Sequence, residues 1–112
     1  MNDKQFNILW AEALAYADRD AYLSDAALSS IWDDAPDAAI PDDRLRQLGQ
    51  LWDAAHLTVK AIRAATGLSQ AAFAQRFCIP RRTVENWESG TNTCPVYVRL
   101  LLAQAVGLYK RG

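Results

Sequence analysis

The chain is poor in soft metal ligands: 112 residues hold two cysteines, Cys78 and Cys94, and one histidine, His56. A structural zinc site takes about four such ligands at tight spacing, and these three are scattered, so no metal is expected. In a reducing cytosol both thiols are expected to be free. His56 stands alone, with no nucleophile or ordered carboxylate in sequence range, so no catalytic residue is assigned and an enzyme is the weakest reading. Long hydrophobic runs are lacking too: the stretch 100–109 is about half the ~20 apolar residues that span a bilayer. Met1-Asn2-Asp3-Lys4 lacks the basic-then-apolar order of a secretory leader. A soluble, cytoplasmic protein with no membrane partner is the expectation. No alternating strand pattern and no glycine-rich phosphate loop occur, so neither a sheet nor a nucleotide cofactor is expected.

What is present is enough apolar material to fold. Hydrophobic residues make up 51% of the chain and charged residues 22%, too apolar a balance for disorder. A formal net charge of -1 hides a division. Residues 1–58 carry four basic side chains against eleven acidic ones, and residues 59–112 carry eight basic against two acidic, Glu85 and Glu88. A basic half is the electrostatic footprint of a polyanion binder, and an acidic half would be repelled by DNA.

The periodicity is helical throughout. Phe6, Leu9, Trp10, Ala13, Leu14 and Ala17 follow the spacing of one apolar helix face, with Asp3 placed to cap it. A short second helix is predicted over 21–32. Asp33-Asp34-Ala35-Pro36-Asp37 breaks the pattern, and Pro41 followed by two aspartates opens a new helix. Leu45, Leu48, Trp52, Ala55, Val59 and Ile62 keep a spacing of three and four, which fits either one long helix or two helices parted near 56–58, where Thr58 is a good N-cap.

From Val59 the punctuation becomes specific. A basic amphipathic helix over 59–66 stops at Gly67, and Ser69 caps a second helix running to about Phe77. Cys78-Ile79 makes a short turn. Pro80 opens a third helix over 81–89 that ends at Gly90, and a last helix over 95–106 ends at Gly107. Two short helices joined by such a turn form a helix-turn-helix, whose second helix can lie in a DNA major groove.

Gly67-Leu68-Ser69-Gln70-Ala71-Ala72-Phe73-Ala74, then Ile79 to Thr83-Val84, then Trp87-Glu88-Ser89-Gly90, resemble the Cro/C1-type (XRE-like) helix-turn-helix family over about 59–108. Two positions depart from the family pattern: Cys78 stands where glycine is usual, and Pro80 where a polar cap is usual. The resemblance implies an all-α, five-helix helix-turn-helix domain over 58–112. Residues 1–57 lie outside it and read, by their own charge and periodicity, as a small acidic helical region for dimerisation or partner binding.

It also implies roles. Arg81, Arg82 and Asn86 match positions that reach base edges, with Thr83 and Glu85 close by. Their chemistry is suitable, since arginine pairs with guanine and asparagine with adenine. Two cations at the positive end of a helix dipole are mildly unfavourable unless an anion meets them. Ser69 and Gln70, at a helix N-terminus, match a phosphate clamp. Thr91, Asn92 and Thr93 are placed to touch the DNA backbone. Arg63 and Glu88 match an ion pair tying the first helix of the motif to the third, while Phe73, Val84 and Trp87 are core. Val96, Leu100, Leu101 and Val106 match a dimer-forming region, which would set two recognition helices about one DNA turn apart on an inverted repeat.

The expected partners are therefore double-stranded DNA and a second copy of the chain, in a transcriptional regulator that represses or regulates its own expression. The alternative is an antitoxin-like interaction protein whose acidic N-terminal half neutralises a basic protein partner, through some of Phe6, Trp10, Tyr16, Tyr22 and Trp32. The two readings are compatible.

Overall fold

Caps and apolar stripes partition the chain into helices, and the computed structural model, which describes residues 1–111, shows no other regular element among them. The helices are α1 (Asp3–Ala15), α2 (Arg19–Ala27), α3 (Asp42–Ala55), α4 (Val59–Thr66), α5 (Gln70–Arg76), α6 (Arg81–Ser89) and α7 (Val96–Ala105), with a 3₁₀ turn at Ser30–Trp32. They gather into two compact units: Met1–His56 with Arg111, and Leu57–Lys110.

In the first unit α1, α2 and α3 pack pairwise on one another. The cap of α1 is Asn2 rather than Asp3. Its side chain accepts from the Gln5 amide (2.8 Å) while the Gln5 side chain accepts from the Asn2 amide (2.9 Å). This reciprocal box satisfies two donors that a lone aspartate would not, and leaves Asp3 in the first turn, where its charge favours the dipole. The helix expected over 21–32 is divided. α2 ends at Ala27, and Ser29 accepts from the Ile31 amide (3.4 Å) to start the 3₁₀ turn.

Aromatic side chains offered by sequence as interface candidates mostly fill this core. Phe6, Trp10 and Tyr22 are buried with Leu9, Leu48 and Leu51, and the Tyr22 hydroxyl donates to the Leu9 carbonyl (2.9 Å). Tyr16 and Trp32 are half-buried and engaged, Tyr16 donating to Asp25 (2.6 Å) and Trp32 donating to the Ala26 carbonyl (2.8 Å).

The apolar stripe of α3 is misplaced by one residue at its start. Leu45 is exposed, and Arg44 turns inward. Its guanidinium donates to both Asp34 oxygens (2.5 and 2.8 Å) and to the Ala27 carbonyl (3.1 Å), and lies 4.4 Å from the Trp32 ring centroid. A buried cation is tolerable only when paired and hydrogen-bonded in this way. At the far end α3 stops at His56, whose ring stacks on Trp52 (4.0 Å) and whose Nε2 lies 2.8 Å from the Ala13 carbonyl oxygen. The stripe from Leu45 to Ile62 is thus two helices, parted where the spacing alone allowed either arrangement.

In the second unit Thr58 starts α4 by accepting from the Ala61 amide (3.0 Å), and Gly67, at φ +70°, ends it. Ser69 caps α5 through the Ala72 amide (3.1 Å). Val59, Ile62, Phe73, Ala74, Val84, Leu102 and Ala103 form the core. Each large side chain among them gains about 1.5–3 kcal/mol from leaving water, and the small Ala74 brings α5 close to α6. Trp87, expected in the core, is only half-buried. The unit has four helices rather than the expected five. After α7 the chain turns at Gly107 (φ +83°), and the Leu108 and Tyr109 amides fold back onto the Ala103 carbonyl (2.9 and 3.2 Å), closing the helix end instead of starting another.

Candidate nucleic-acid interface

The short helix α6 is fixed on its inner side by one apolar anchor and one ion pair. Val84 is fully buried. Arg63 and Glu88, 25 residues apart, are brought together: Arg63 Nε donates to Glu88 Oε2 (2.7 Å) and Nη2 to Oε1 (2.9 Å), while Nη1 donates to the Leu68 carbonyl (3.0 Å). The Glu88 side chain is only 6% exposed, so this bidentate pair is shielded from water and locks α6 against α4 and the Gly67-Leu68 turn. The Arg63 guanidinium holds the Glu88 carboxyl below the usual carboxylate range; burial opposes this, and Gln70 and Lys60 add to it.

Between α5 and α6 lies the turn. Cys78 adopts φ +55°, the left-handed region that favours glycine, and the Ile79 amide then reaches back to the Ala74 carbonyl (2.9 Å). The family's usual glycine at this place has a direct geometric reason, and cysteine occupies it under mild strain. Pro80 precedes α6 in extended backbone and supplies no side-chain cap, so the first amides of α6 are left to solvent or a ligand.

At about 100° per residue, Arg81, Glu85, Ser89, Arg82 and Asn86 share an arc of about 140°; Val84 and Glu88 lie outside it, Glu88 bordering its Arg81 edge. Arg81 and Arg82 are exposed, and Asn86 is half-buried. Thr83 lies on the other arc beside Trp87 and is half-buried. Arg81 Nε donates to Glu85 Oε1 one turn on (2.9 Å), so part of the cationic repulsion at this helix end is offset within the helix itself.

Gln70 is half-buried, and its amide donates weakly to Glu88 Oε1 (3.4 Å), which turns it toward the ion pair. Ser69 is occupied as the cap of α5. Thr91, Asn92 and Thr93 are exposed beyond α6; the Thr91 and Ser89 hydroxyls lie 2.9 Å apart, and the Asn92 amide donates to the Asn86 carbonyl (3.2 Å). Sequence reasoning omitted Ser89 from the outward arc, although the spacing from Arg82 and Glu85 already places it there. Of the apolar residues expected in a dimer-forming region, Leu101 (61%) and Val96 (38%) are exposed and Leu100 and Val106 are half-buried; Tyr97 (66%) and Leu108 (43%) are exposed too. Cys78 is a free, exposed thiol, and Cys94 is a free, buried one that burial pushes up in pKa.

Residues 59–95, from the start of α4 to the residue before α7, match the helix-turn-helix family. No curated protein and no solved structure matches the chain.

Proposed function

Since residues 59–95 are a helix-turn-helix of the Cro/C1 type, we propose that the chain is a sequence-specific transcriptional regulator that seats α6 in the major groove of duplex DNA. The observation carrying this reading is the orientation of α6. Its inner side is locked by Val84 and the Arg63–Glu88 pair, which leaves Arg81, Arg82 and Asn86 together on the outer one. A rigid helix presenting arginine and asparagine has the donors and acceptors that guanine and adenine offer in the major groove. Thr91, Asn92 and Thr93, exposed just past α6, are within the reach of flanking phosphates in such a docking, and phosphate contacts of this kind set register rather than sequence.

The protein acts in this reading as a homodimer on an inverted repeat. Tyr97 and Leu101, one turn apart on α7, and Leu108 beyond its end stay exposed, apolar surface that a second copy would cover. The antitoxin-like alternative keeps the acidic charge of residues 1–58 as its support but not Phe6, Trp10 and Tyr22, which are core residues of the first unit.

Selection of bound sequences from random duplex DNA tests the reading. An enriched inverted repeat is expected, and Arg81→Ala should weaken binding to it by about 5- to 150-fold, the value of one bidentate base contact. A selection that enriches no sequence refutes the regulator reading. Leu101→Glu should convert a dimer to monomers in sedimentation equilibrium, and a monomeric wild type refutes the dimer.

A further inference from the structure

Two arginines stand side by side at the start of α6, and the structure treats them differently. Arg81 is joined to Glu85 through Nε (2.9 Å). Arg82 is exposed and forms no ion pair among the described residues. Among the described residues of the second unit Glu85 and Glu88 are the only carboxylates, and Glu88 is buried against Arg63. Glu85 is therefore the one acidic group on a face otherwise suited to a polyanion. A carboxylate there is unfavourable for contact with phosphate at any sequence, so its place needs a reason other than affinity.

Resting on the DNA-binding reading above, we propose that Glu85 is a positioning residue which, by holding Nε of Arg81, aims that side chain at guanine and divides the labour between the arginines, Arg81 reading a base and Arg82 holding phosphate. The guanidinium is a planar fork of five donors. With Nε engaged by Glu85, the end of the fork keeps Nη1 and Nη2 side by side, and this pair of parallel donors matches the O6 and N7 acceptors of guanine. The i, i+4 tether also removes rotamers that a free arginine would lose on binding, so less of the contact is lost to ordering. Arg82 has no tether. It suits a phosphate, which accepts from many directions and carries no sequence information. Glu85 thus lowers binding to every DNA while raising the preference for the right one.

That pairing of opposite effects is the test. Affinities for the selected operator, for the operator with the contacted guanine replaced by adenine, and for random duplex are measured for wild type, Glu85→Gln, Glu85→Ala and Arg82→Ala, with circular dichroism confirming that each folds. Removing the Glu85 charge should tighten binding to random duplex by about 3- to 10-fold, one unit of charge at low salt. The guanine-over-adenine preference should fall by about 5-fold or more in Glu85→Ala. In an Arg81→Ala background the second substitution should leave that preference unchanged. Arg82→Ala should weaken all three duplexes alike and lower the salt slope by about one. A wild-type preference that survives intact in Glu85→Ala overturns the positioning role alone. A wild type with no preference among duplexes overturns the DNA-reading function as well, so the two failures are told apart.

Discussion

Replacing Glu88 by alanine should loosen α6 from the rest of its unit. The wild-type carboxylate accepts two charge-assisted bonds from Arg63 at 2.7 and 2.9 Å and a weak one from Gln70 at 3.4 Å. Truncation leaves the Arg63 guanidinium with only the Leu68 carbonyl as partner. Breaking a fully buried pair costs about 3–5 kcal/mol, most of it from stranding the surviving charge. The Arg63 side chain is 20% exposed, so water recovers part of that, and about 2–4 kcal/mol is expected. A unit of this size has only about 3–5 kcal/mol in hand. Amide hydrogen exchange of α4 and α6 reads the effect locally: at ~1.4 kcal/mol per tenfold, protection should fall by about 30- to 1,000-fold. A control separates the pair from its environment. The double variant Arg63→Met/Glu88→Leu, apolar and similar in volume, should recover most of the loss, because neither charge is left without a partner. Less than a 3-fold change in Glu88→Ala would mean that α6 is held by packing alone, and the reasoning about its rigid presentation fails.

Three further outcomes follow from other features. Cys78→Gly should raise stability by about 0.5–1 kcal/mol, seen as a higher Tm, since φ +55° strains cysteine and not glycine; a lower Tm refutes it. Arg44→Ala should destabilise the first unit by about 2–4 kcal/mol in urea titrations and change the near-ultraviolet dichroism of Trp32, on which the guanidinium lies; an unchanged midpoint would show the buried cation to be dispensable. Acid should destabilise the protein through Glu88 and Asp34, both held below their ordinary values chiefly by hydrogen bonds from Arg63 and Arg44. A depressed folded value means stabilisation fully present above the unfolded value, about 4, and lost as pH falls through the folded one. Urea midpoints should therefore drop below about pH 4, and less steeply in Glu88→Gln.

Much of this molecule is written in local signals. Gly67, Ser69 and Gly90 act within one helix turn of themselves, so the limits of α4, α5 and α6 could be set from the chain alone, as could the outward placing of Arg81 and Arg82 by a 3.6-residue period. The same locality explains the error at the start of α1, where Asn2 competed with Asp3 and only the completed hydrogen bonds chose between them. Three decisions belonged to the tertiary structure. Arg44 entered the core in preference to Leu45 because Asp34, Ala27 and Trp32, far along the chain, assembled a partner set for its charge. Phe6, Trp10 and Tyr22 were hidden because α1 and α2 found α3. Which apolar residues of α7 stayed in water was decided by the face it turned to α4. Each depends on groups distant in sequence meeting in space, and the free energy of burial is a property of that meeting rather than of any residue's own neighbours along the chain.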